Sequence, residues 1–191
     1  MTPFDYFMIF VTIIIALAIE SVARDVDVLI AARARVTWHW MAPVTALNSV
    51  LLTLSQFFLF WELRTHSPFN NYLRALPPLA TMLVLFLAAS AALPSEVPQD
   101  GLDLKEWYFA NRARYWGLSI ALMGCFVVTN SVAYFSHMVP GSQALFLSVE
   151  AVVIAIFSAS LIWTKAAWWH GIVIVLFLVT GLIGNAGLTL A

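Results

Sequence analysis

Glu20, Arg24 and Asp27 stand at i, i+4 and i+7, so they share one helix face, with the glutamate placed before the arginine in the favourable order for an ion pair. The apolar run before them, FMIFVTIIIALAI from Phe7 to Ile19, covers only ~20 Å as a helix, short of a ~30 Å hydrocarbon layer. A first membrane span must therefore carry Glu20 in with it. An unpaired carboxylate at that depth costs roughly 2.5 kcal/mol or more, so it needs a partner or a proton, and Arg24 is the partner at hand. The plainer reading is that the pair lets a helix end tolerate its charges while Arg24 snorkels toward water. Asp25, Arg33 and Arg35 read as boundary charges.

Glu150 poses the same problem without the same answer, since its surroundings, FLSVEAVV, hold no basic residue. It calls for a partner on another helix or a bound proton. Three amides complete the set: Asn48 at about the level of Glu20, and Gln56 with Asn130 near the level of Glu150. The intramembrane polar groups thus fall into two tiers, an inner one of Glu20, Ser21 and Asn48 and an outer one of Gln56, Asn130 and Glu150. The chemistry open to such an arrangement is proton or cation transfer between tiers. The alternative for each amide is interhelical glue worth about 0.6 to 2 kcal/mol.

The elements that hold these residues follow from composition and hydropathy. Of 191 residues, 62% are hydrophobic and 10% charged, against about 25% charged in a soluble domain. Six spans are expected, at about 6–30, 41–61, 72–93, 116–135, 144–163 and 168–188. The fold class is an all-α polytopic membrane protein forming a single transmembrane domain. Pro77-Pro78 marks the start of the third span or a kink in it. Asp103 and Glu106 read as a capping box opening a short interfacial helix at about 103–114, with Leu104, Trp107, Tyr108 and Tyr115 on one face. The N-terminus has no basic segment or small-residue cleavage site, so no removable signal peptide is expected.

Arg24, Arg33, Arg35, Lys105, Arg112, Arg114 and Lys165 fall at the first, third and fifth connections, and only Arg64 and Arg74 at the second. This bias puts the odd connections in the cytoplasm and both termini in the periplasm. The two halves also show a faint likeness. ESVA at Glu20 matches NSVA at Asn130, MAPVTAL at Met41 matches MVPGSQAL at Met138, and LVLFLA at Leu83 matches IVLFLV at Ile174. Two copies of a three-helix unit would be related by inversion, a 3+3 arrangement known among transporters.

Other chemistries find little footing. The net charge of −1 offers no basic face for nucleic acid, and Cys125 alone allows no internal disulfide or thiolate cage. His39, His66, His137 and His170 lie at helix ends or in loops, so no paired haem ligands and no other cofactor or metal site are expected. His39 in WHW and His170 in WWH suit interfacial anchoring, or could meet as a pH-sensitive pair. No phosphate loop, His-x-x-x-His or catalytic serine constellation is apparent, and no catalytic residue is assigned.

The charged end of the first helix, QFFLFWELR at Gln56 to Arg64, Pro77-Pro78, LPSE at Leu93 to Glu96 and DLKEWYFANRARYW at Asp103 to Trp116 together resemble a group of bacterial multi-pass inner-membrane proteins. The resemblance covers about the first 120 residues and implies topology and a bacterial inner-membrane location, with no transferable function. The expectation is therefore a small transporter or channel, proton- or cation-coupled, with Glu20, Arg24, Asn48, Gln56, Asn130 and Glu150 along its path and a small solute or ion as ligand. The alternatives are a non-catalytic membrane subunit that forms homo-oligomers or docks a protein at its cytoplasmic face, and a membrane-embedded pH or lipid sensor.

Overall fold

Hydrocarbon offers backbone groups no water to bond with, so a chain this apolar is driven to pair them within its own helices. The computed structural model describes residues 3–62, 72–136 and 139–185. They form α1 (Pro3–Ala31), α2 (Met41–Glu62), α3 (Tyr72–Ser90), α4 (Leu104–Phe135), α5 (Gly141–Trp163) and α6 (Ala167–Asn185). Five of these are long and apolar enough to cross a membrane, and Ala167–Ile183 is a shorter apolar helix. The protein is an all-α, multi-pass membrane protein. Arg64, His66, His137, Met138 and Leu188 lie outside the described residues.

α4 departs from expectation. The interfacial helix and the fourth span are one continuous helix of 32 residues, because FANRARYWG contains no proline and Gly117 is a single weak point in a run of helix formers. At ~48 Å it overruns the hydrocarbon, so its first turns, with Lys105, Glu106, Arg112 and Arg114, extend past it. These turns do not lie loosely on the surface, since Leu104, Tyr108 and Trp116 are buried. Asp103 is the N-cap, accepting from the backbone N–H of Lys105 at 2.7 Å and of Glu106 at 3.1 Å, while the return bond from the Glu106 side chain that would complete a capping box is not found among the described residues.

α3 runs from Tyr72 through both prolines, which withhold two donors in its second turn, and ends at Ser90 in a turn over Ala91–Leu93. Two connections are laced together at the end of the bundle that carries Arg33, Arg35, Lys105, Arg112 and Lys165, here the basic end. The two-residue strands β1 (Val36–Thr37) and β2 (Leu102–Asp103) pair in parallel, and Arg35 donates to the Pro98 carbonyl at 3.2 Å. Gly101, at φ 102°, makes this crossing possible. A Cβ there would stand 3.0 Å from the Arg35 carbonyl oxygen in a conformation L side chains rarely adopt.

Two apolar clusters fill the interior. One, at the basic end, gathers Val22, Leu29, Met41, Ala42, Leu93, Leu104, Trp116 and Ile174; the other gathers Phe7, Val11, Phe60, Met82 and Leu122. α1 packs on α3 and α4 on α5, while the principal neighbour of α6 is α2. An inverted repeat would seat α6 on α4 as α3 sits on α1, so the helix packing lends the repeat no support.

Candidate functional site

The six candidate residues do not share an interior. Glu20 and Arg24 form an ion pair of 3.7 Å on the outer surface of α1, each side chain 58% exposed, with Asp27 exposed beside them. Glu150 is exposed on α5 among exposed Leu145, Phe146, Val149, Val153 and Ile156, and no ion pair reaches it among the described residues. The reason is rotational. Depth can be read from position along a helix, but only packing decides which face turns inward.

The amides divide. Asn48 donates its side-chain N–H to the Ile174 carbonyl at 3.2 Å, which ties α2 to α6 and suits the role of glue. Gln56 is buried and Asn130 half-buried, and no hydrogen bond joins them among the described residues. Gln56 instead closes a stripe on α2 made with Thr45, Ser49 and Thr53, all buried and spaced at i, i+4, i+8 and i+11. The three hydroxyls each donate to the carbonyl four residues back, at 2.6, 3.2 and 2.7 Å. Their hydrogens are thus spent within the helix and their lone pairs remain for neighbours. Tyr115 of α4 meets this stripe, its hydroxyl 3.0 Å from Ser49 Oγ. The spacing is visible in TALNSVLLTLSQ, but serine and threonine in an apolar run carry no charge that marks them out from ordinary helix residues.

The densest polar knot lies at the basic end. His170 has no exposed surface. Its Nε2 lies 3.0 Å from the Thr164 carbonyl, which can only accept, so Nε2 carries the hydrogen and Nδ1 is the bare nitrogen. The Tyr108 hydroxyl donates to Nδ1 at 2.7 Å and accepts from Trp116 Nε1–H at 3.1 Å. The side-chain polar atoms of His170, Tyr108 and Trp116 are thus all satisfied in one relay that joins α4 to α6. Arg112 donates from Nε to the Ile162 carbonyl at 3.1 Å and also to the Phe109 carbonyl, placing its charge against the last turn of α5, where a cation is favoured. Trp169 Nε1–H donates to Ser160 Oγ at 2.9 Å.

The pairing of His39 with His170 is therefore corrected. Both nitrogens of His170 are engaged elsewhere, and His39 stacks on Trp40 with ring centroids 6.1 Å apart, beside an open apolar groove that Trp168 and Gly171 also line.

Asp25 is corrected too. It is no boundary charge: it lies 1% exposed on the inward face of α1, between Val22 and Leu29, which belong to the core cluster of the basic end. One turn back on the same face, Ser21 donates to Ser90 Oγ of α3 at 3.2 Å.

Among the described residues no three His, Cys, Asp or Glu side chains come together as a metal-holding group. The chain matches no family model, no curated protein and no solved structure.

Proposed function

We propose that the protein is a non-catalytic membrane subunit that works by assembling side by side with another membrane-embedded protein through the outer face of α5. Glu150 carries this reading. A carboxylate facing lipid costs roughly 2.5 kcal/mol or more near the bilayer centre, and a neighbouring subunit with a matching donor removes that cost. The flanking Leu145, Phe146, Val149, Val153 and Ile156 would supply the packing surface around it. We further assign the basic end to the cytoplasm on the bias of Lys and Arg among the connections, and the location to a bacterial inner membrane. Arg112 contributes less to a docking face than its charge suggests, because it is bonded to the carbonyls of Ile162 and Phe109.

A photo-crosslinking residue placed at Val149 or Val153 in intact membranes should capture a protein, with Glu150→Ala weakening capture at least several-fold. Capture of lipid alone from both positions would overturn the reading. A second reading, a transporter or channel for a small solute or ion, draws support from the buried stripe Thr45, Ser49, Thr53 and Gln56 rather than from Glu20 or Glu150. Flux through proteoliposomes that is abolished by Gln56→Leu and unaffected by Glu150→Gln would favour it over assembly.

A further inference from the structure

Three features compete for an explanation beyond assembly: the groove beside Trp40, the exposed face of α4 around Gly117 and Gly124, and Asp25. Asp25 is the acidic group among them, and it combines burial with an unmet chemical need. Its Oδ1 has essentially no accessible surface and no hydrogen-bond partner.

Two charged groups act on this carboxyl, Arg24 and Glu20, both on its own helix. Arg24 Nε stands 3.7 Å from Oδ1, too far for a hydrogen bond, and its guanidinium side is 58% exposed, so it pulls outward while also serving Glu20. The other elements around this stretch bring apolar groups: Met41 and Ala42 from α2, Ala89, Ala92 and Leu93 at the end of α3, and Leu104 from α4. Ser90 of α3 brings a hydroxyl, but its hydrogen is committed to the Phe86 carbonyl at 2.9 Å and the Ser21 hydrogen is committed to Ser90. Among the described residues, neither these hydroxyls nor Arg24 donates a hydrogen bond to Oδ1.

We propose that Asp25 is a proton-binding site, held as a neutral acid in the closed bundle. The carboxyl O–H then becomes a donor and can turn to the Ser21 carbonyl four residues back, as Thr45, Ser49, Thr53, Thr81 and Ser90 do on their own helices. A proton needs no cavity, which suits an atom enclosed this tightly; a metal cation would need several oxygens around it. Release of the proton requires the α1–α3 seam, held by Ser21 and Ser90, to part so that the carboxylate meets Arg24 and water. The proposal stands whether the protein assembles or transports, because it concerns the protonation state of one buried group.

Infrared spectra of the full chain in lipid nanodiscs should show the carbonyl band of a protonated carboxyl at neutral pH. That band should vanish in Asp25→Asn and persist in Glu20→Gln and Glu150→Gln. Absence of the band from the wild type, or its survival in Asp25→Asn, overturns the proposal. Thermal unfolding gives an independent arm. Asparagine mimics the neutral acid in size, so Asp25→Asn should melt within about 3 °C of the wild type, a shift of roughly 1 kcal/mol for a chain of this size. A matched fall of more than about 6 °C in both Asp25→Asn and Arg24→Gln would identify an ion pair instead of a protonated acid.

Discussion

Trp116→Ala should lower the unfolding midpoint in nanodiscs by on the order of 10 °C, the equivalent of roughly 3 to 5 kcal/mol for removing a buried aromatic. Trp116 is 2% exposed and stands where α4 meets α6. Its ring meets Phe177 of α6 at a centroid distance of 6.0 Å and Tyr115 at 4.9 Å, and its Nε1–H donates to Tyr108. In hydrocarbon there is no hydrophobic force to press helices together, so packing and interhelical hydrogen bonds must hold α4 against its neighbours. The loss should accordingly appear as tertiary loosening. Near-ultraviolet circular dichroism should weaken while the far-ultraviolet helical signal holds, because the backbone remains paired within each helix. Trp116→Phe keeps most of the volume and gives up the donor, so it should lose less than half as much. Equal losses in the two variants would show that the hydrogen bond, not the packing, carries the contribution.

His170→Ala is the second large effect, about 3 kcal/mol, from a cavity combined with a buried hydroxyl left without its acceptor. Removing the imidazole strips the Tyr108 hydroxyl of its acceptor and the Thr164 carbonyl of its donor at one stroke. Tyr108→Phe alone should cost about 1 to 2 kcal/mol, because it leaves Nδ1 of His170 and Nε1 of Trp116 unpaired. The informative measurement is the double variant. Groups joined in one network couple by about 0.5 to 3 kcal/mol, so His170→Ala with Tyr108→Phe should destabilise by clearly less than the two single losses together. Strict additivity would mean that the Tyr108 to His170 bond contributes nothing of its own.

These two residues show where local pattern stops being informative. Tyr108 was visible on the same helix face as Leu104 and Tyr115, and His170 was visible in a tryptophan-rich helix start. In sequence His170 reads as an interfacial anchor and Tyr108 as one face of an interfacial helix, because Trp and Tyr gather at membrane boundaries whatever they touch. Their contact is 62 residues apart in the chain and depends on α4 beginning twelve residues earlier than the span expected from hydropathy. Charged side chains that extend α4 beyond the hydrocarbon interrupt the apolar run without interrupting the helix, so a span detected by hydropathy is shorter than the helix that contains it.

The sequence by itself determined that this is a helical membrane protein, since apolar runs of that length leave backbone groups no alternative to helix. It also determined the approximate place of each helix, the cap at Asp103 and the presence of Glu20 in the first helix with Arg24 beside it, all local consequences of hydropathy, side-chain reach and helical spacing. Only the tertiary structure decided which way each helix turns. Asp25 and Glu20 are five residues apart on α1, at 100° per residue, and the packing of α1 on α3 puts the first inside and the second outside. The same rotation sends Glu150 outward and brings Thr45, Ser49, Thr53 and Gln56 inward. A helix that is apolar nearly all round has no strong amphipathic signal to announce its buried face, so in this protein the orientation of every polar side chain is a property of the assembled bundle.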